Sequence, residues 1–226
     1  MISLRALMLM PFLLAWACAW AQPPGWTRPP RIVVTGAVDD ESFALVQESI
    51  GYWNRALADS GTAFRLPPAE RVSGDAPEDG LQALSRSILA GMRQSAPIPD
   101  ALSKLPGELV VVFGSSEFVS FASPFFGEQQ RRIIGIRGLS RYPLKLPNVA
   151  RNVIAHELGH ALGLIHNDDP TRLMCGRPAN CGPPAFESST AVFFPLTEAD
   201  RRALARLYGP AALLPAAAAA SDVGPK

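Results

Sequence analysis

The stretch HELGHALGLIH, His156 to His166, holds all three histidines of a 226-residue chain. On a helix His156 and His160 share one face a turn apart, the spacing at which two imidazoles reach one zinc ion. Glu157 follows the first histidine, where its carboxylate can reach a water on such an ion rather than bind the ion. Gly163 permits a backbone conformation that costs other residues more, so the chain can turn there and bring His166 back as a third ligand. Three neutral nitrogens leave a fourth position for water, which marks a catalytic rather than a structural zinc site. The chemistry expected is hydrolysis: a water made acidic by the metal, a polarised carbonyl, and Glu157 as general base and then general acid. The bland alternative is an amphipathic helix with polar His and Glu beside an apolar Leu158–Leu162 face. The five fixed residues of HExxHxxGxxH, with no histidine elsewhere, weigh against it.

The elements that must hold these residues are legible in outline. RIVVT (31–35) reads as a strand. Phe43, Val46, Ile50, Trp53 and Leu57 recur at helical spacing from about Asp40 to Ala58, capped by Asp39 or Asp40. TAFRL (62–66) alternates as a second strand, the following LPPAERVSGDAPED reads as loop, and residues 81–92 have a helical period. ELVVVF (108–113) is the clearest buried strand. FVSFASPFF (118–126) suits an edge strand or a core strand equally, and RRIIGIRG (131–138) is a strand. A helix runs from Pro147 or Asn148 to about Leu164. Another covers 195–209, capped by Thr197 and ended by Gly209 and Pro210.

HELGHALGLIH followed by Met174 resembles the metzincin zinc peptidases. HNDDPTRLM resembles the matrixin segment more closely, with Met174 at the matrixin distance of eight residues from His166. LTEADRRALARLYG resembles the closing matrixin helix. The resemblance implies an α+β domain over residues 31–210, with a twisted, mostly parallel sheet, an antiparallel edge strand, an active-site helix and a C-terminal helix. It implies that His156, His160 and His166 bind one catalytic Zn2+. It also implies that Met174 forms an apolar floor beneath the ligands and that Asp200 makes a polar contact supporting that turn. The substrate would be a protein or peptide in extended conformation, paired along the edge strand. The wall of the pocket beyond the scissile bond would run from Cys175 to about Phe194, with Phe186, Phe193 and Phe194 as candidates for its lining or for the core. The likeness also departs from the family. Ala199 replaces the first aspartate of the closing pair, no cysteine-switch propeptide is recognisable, no extra histidines exist for a structural zinc, and calcium sites have no recognisable counterpart.

The N-terminus carries Arg5, an apolar run and small residues at Ala19 and Ala21, as a secretory signal over residues 1–21 does. Residues 22–30 read as a proline-rich linker and 211–226 as a low-complexity tail. Export leaves Cys175 and Cys181 as an even pair, which reads as a disulfide, with free or metal-bound thiols as the alternative. A lipid anchor at Cys18 is a lesser possibility. The formal net charge of +1 gives no hint of nucleic acid. Arg131, Arg132, Arg137 and Arg141 are expected on a solvated face, with a preference for acidic substrates as the weaker reading. The function expected is a secreted zinc endopeptidase, monomeric, with no membrane span once the signal is removed. The alternatives are a non-catalytic zinc module and a secreted protein that binds partners through its aromatic strand.

Overall fold

The computed structural model describes residues 25–92, 95–128, 130–176, 179, 181, 188 and 190–210. Its centre is a sheet built from β-branched runs that pair because both their faces are covered. β1 (Ile32–Gly36), β3 (Leu109–Gly114) and β5 (Arg132–Arg137) are parallel neighbours, with Val111 opposite Val34 and Ile134. β2 (Glu70–Arg71) adds in parallel beside β1, and β4 (Phe121–Ala122) closes the other edge antiparallel to β5. The order is β2-β1-β3-β5-β4, the mostly parallel sheet with an antiparallel edge that was expected.

Alternation along the strands splits the core in two. Val34, Val111, Ile134 and Ile136 face a layer made by α1 (Asp40–Asp59) and α4 (Pro147–Ala161). Val110, Val112 and Ile133 face α2 (Glu78–Ser87), which brings Leu81 and Leu84. α3 (Asp100–Ser103) is one short turn that adds Leu102 to this second cluster. α5 (Glu198–Tyr208) closes the first cluster with Leu204 and Tyr208.

Two side chains of α1 register it against α4, the helix carrying the histidines. Trp53 Nε1 donates to the carbonyl of Ala155 at 2.8 Å, and Glu48 accepts from Arg151 Nε at 2.9 Å. The cap of α1 is Asp39, with Ser42 completing a reciprocal box; Thr197 and Asp200 do the same for α5.

Several expectations need correction. TAFRL is not a strand. Both backbone groups of Leu66 are taken by the Asn54 amide, at 2.8 and 2.9 Å, and Phe64 stacks on Tyr208. The second strand lies instead at Glu70–Arg71, in the stretch read as loop; it is two exposed residues long, too short for periodicity to show. The helix expected at 81–92 starts at Glu78 and gives way at Ile88 to a wider turn that ends around Gly91, whose φ is +91°. Only Phe121 and Ala122 of the aromatic run form a ladder with β5: Ser123 N still donates to Ile133 O, but the Ile133 N–H goes to the Ser123 hydroxyl rather than to its carbonyl. Phe118 and Phe121 are buried in the α2 cluster as core residues. Among the described residues, no helix is long and apolar enough to cross a membrane.

Candidate metal centre

α4 starts with Pro147 at its first turn and ends at Ala161. Gly163, with φ of +92°, then takes the left-handed position that an L side chain avoids. Its N–H bonds the carbonyl of His160 at 2.9 Å, and the N–H of Leu164 bonds that of Gly159 at 3.0 Å. This pair of reverse bonds is a Schellman ending. It turns the chain sharply enough for His166 to come back over the helix face that carries His156 and His160.

The three imidazoles converge. His166 Nε2 lies 3.2 Å from His156 Nε2 and 2.9 Å from His160 Nε2. The other nitrogens of the two helical rings face carbonyl oxygens: His156 Nδ1 meets Leu173 O at 2.7 Å, and His160 Nδ1 meets Leu164 O at 2.8 Å. A carbonyl only accepts, so each Nδ1 carries the proton and each Nε2 presents its lone pair inward. Lone pairs aimed at one point repel unless a cation stands between them. Zinc–nitrogen bonds of about 2.0–2.1 Å in a tetrahedron set nitrogens about 3.3 Å apart, close to the spacing observed. The donor set therefore fits a metal ion.

Glu157 is 6% exposed and lines, with His156, a cavity of about 760 Å³. Its other walls are mainly apolar, from Leu144, Leu146 and Val149 before and on the helix to Leu173 and Phe194 beyond it. Phe118, Val119 and Ser120, from the run ahead of β4, form the opposite rim. Met174 is fully buried under the helix at Gly159. Asn167 N–H bonds the carbonyl of Met174 at 2.8 Å, and the Asn167 side chain donates to Asp200 Oδ2 at 3.2 Å. Asp200 also accepts from Thr197 N and Oγ1. So Asp200 reaches the turn at Met174 through Asn167. Cys175 and Cys181 are joined by a disulfide, and both line the cavity. Gly176, between them, has the ring of His166 packed on its Cα.

Some of this lay outside the sequence reading. Asn148 and Asn152, a turn apart on α4, act as a stand-in strand for the wall of the cavity. Asn148 Nδ2 donates to the carbonyls of Ser188 and Thr190, both at 2.8 Å, and its Oδ1 accepts from Val192 N at 3.1 Å. Asn152 Nδ2 donates to Val192 O, and its Oδ1 accepts from Phe194 N, each at 2.8 Å. The signal available was two amides at i and i+4 ahead of the histidines, which says nothing by itself. Phe194 faces the cavity and Phe193 stacks on Tyr52; Phe186 lies outside the described residues.

Only part of the arginine cluster is the solvated face expected: Arg131 and Arg132 turn to backbone carbonyls of the fold. Arg131 donates to the carbonyls of Ser103, Leu105 and Gly107. Arg132 is 4% exposed and donates to the carbonyl of His160. Burial pushes its pKa down to about 10, which leaves it charged at neutral pH. Arg137 and Arg141 share Glu117 at the surface.

The matrixin family model matches residues 127–209, a little over a third of the chain. Among solved structures, archaemetzincin from Methanopyrus kandleri aligns over 80% of this chain and 96% of its own, at 17% identity and a TM-score of 0.48. The matched family segment takes in β5, α4, the turn at Met174 and α5, and so includes every residue of the histidine cluster. The segment similar to the matrixin family is thus the one that carries the three-histidine cluster.

Proposed function

We propose that the protein is an exported, monomeric zinc endopeptidase in which His156, His160 and His166 hold one ion and Glu157 moves the protons. The observation that carries this reading is the convergence of three Nε2 atoms beside a buried carboxylate and a cavity. A bound zinc would act there as a Lewis acid, lowering the pKa of a water to about 7 and polarising the scissile carbonyl.

The chain's own residues supply the rest. Leu173 O and Leu164 O fix the tautomer and orientation of His156 and His160. Glu157, on the cavity side of the helix, takes a proton from the attacking water and returns it to the departing amine. The apolar cavity takes the substrate side chain beyond the scissile bond. The rim at Ser120 offers backbone to an extended peptide, the backbone of Val119 being bonded to the Ser85 hydroxyl. Met174, buried below Gly159, gives the helix a floor, and Asp200 steadies it through Asn167. The signal read over residues 1–21 and the Cys175–Cys181 disulfide support export to an oxidising compartment.

The test is cleavage of a generic unfolded protein by the mature chain, with zinc, with chelator, and with Glu157→Gln. Zinc-dependent cleavage that Glu157→Gln reduces by at least two orders of magnitude is expected. Metal retained with cleavage unaffected by Glu157→Gln would remove Glu157 from the mechanism. Metal retained with no cleavage in the wild type would leave a non-catalytic zinc module.

A further inference from the structure

An α-helix ends with four carbonyls that have no partner inside it. At the end of α4, that of Gly159 is met by the Leu164 N–H and that of His160 by the Gly163 N–H. Three side chains then meet three successive carbonyls. Arg132 donates to His160 O, Trp26 Nε1 to Ala161 O at 2.9 Å, and the Tyr208 hydroxyl to Leu162 O at 2.9 Å. They come from the segment before β1, from β5 and from α5, so the helix stop is tied to three distant parts of the chain. They also touch one another. The Arg132 guanidinium lies 3.8 Å from the Phe125 ring centre, Trp26 meets that ring edge-on at 4.9 Å, and the backbone N–H of Trp26 donates to the Tyr208 oxygen at 3.3 Å.

Arg132 is the costly member. Its charge is buried, and no carboxylate is in ion-pair contact with it among the described residues. A guanidinium taken out of water carries a desolvation cost that no ion pair here offsets, so fold stability is a poor account of it. The carbonyl it holds belongs to His160, and the chain turns immediately beyond. His160 Nδ1 in turn bonds Leu164 O, on the far side of that turn. A shift of these peptides would move the second imidazole and the path to His166 together.

We propose that Arg132, with Trp26 and Tyr208, is a positioning residue for the metal site: the three donors fix where the helix stops and so preorganise His160 and His166. The inference rests on the zinc reading above. Outer hydrogen-bond partners of metal sites are worth about 10–100-fold in affinity. The test uses the mature full-length chain and the variants Arg132→Met, Arg132→Lys, Trp26→Phe and Tyr208→Phe. Zinc affinity is read by competition with a chromophoric chelator, the cobalt-loaded form by its visible absorption, and the metal-free form by its Tm. Arg132→Met is expected to bind zinc at least about tenfold more weakly, with an altered cobalt band and a metal-free Tm equal to or above wild type. Arg132→Lys, which keeps a charged donor, recovers part of the loss, and Trp26→Phe and Tyr208→Phe shift in the same direction. Wild-type affinity and spectrum in Arg132→Met overturn the proposal, as does an affinity that falls only in step with Tm across the set. Should Arg132→Met not fold, Tyr208→Phe, which removes a single oxygen, decides by the same criteria. A wild type that binds no zinc fails the parent reading instead.

Discussion

Met174 presses on Gly159 from below: a methyl group at Gly159 would stand 2.5 Å from the Met174 sulfur and 2.7 Å from the Trp53 indole. Gly159 is one of the two variable residues inside HExxH, yet this contact leaves it no room for a side chain. Gly159→Ala is expected to destabilise the fold by about 1–3 kcal/mol, because Met174 and Trp53 are both fully buried and cannot yield. Thermal unfolding of the metal-free protein checks it. The paired variant Gly159→Ala/Met174→Ala should recover stability relative to the sum of the singles, since it opens the space the new methyl needs.

The ring of His166 lies on the Cα of Gly176, so a methyl there collides with the imidazole itself. His166 is exposed, and it can move aside at little cost to the fold. Gly176→Ala should therefore leave Tm within about 1 kcal/mol equivalent of wild type while weakening zinc binding at least about tenfold. Chelator competition together with thermal unfolding separates the two effects; unchanged zinc affinity would show that His166 is not held by this contact.

Asn152 bonds both Val192 O and Phe194 N, and Phe194 lines the cavity. Asn152→Leu should free this wall and leave buried backbone groups without partners, at a cost of about 1–3 kcal/mol. Cleavage of a peptide library should then broaden in the residue accepted just beyond the scissile bond, with KM rising more than kcat falls. An unchanged preference would separate this wall from selectivity.

The Ser42 hydroxyl and N–H both donate to Asp39 and hold its carboxyl below the usual carboxylate range. A carboxyl depressed in the folded state contributes stability that is present above its unfolded pKa of about 3.9 and is lost as pH falls through the lower folded value. Asp39→Ala should cost about 1 kcal/mol at neutral pH. Asp39→Asn should match wild type at neutral pH and lack this part of the acid loss below about pH 4. Urea unfolding across pH measures both.

The site was more legible than the frame that supports it. Histidine spacing, the glycine at 163 and the methionine at 174 act locally, over a helix turn or a single bend, and a short motif records such geometry. β3 and β5 were readable because both faces are buried and the residues are β-branched. What stayed hidden depends on contacts between distant segments. β2 is two exposed residues that pair only because β1 is there. TAFRL alternates like a strand, but Asn54 takes its backbone bonds. Arg132 sits in a basic run that looks solvated until the carbonyl of His160, twenty-eight residues later, is placed beside it. Trp26 lies in a proline-rich stretch whose composition gives no sign that its indole is buried and bonded to Ala161.

The central claim is that three imidazoles hold one zinc ion. X-ray absorption at the zinc edge, on the mature protein loaded to stoichiometry, tests it most directly. The account predicts one zinc per chain, with three imidazole nitrogens at about 2.0–2.1 Å and one further light atom. A sulfur neighbour, fewer than three imidazoles, or a folded protein that takes up no zinc would contradict it.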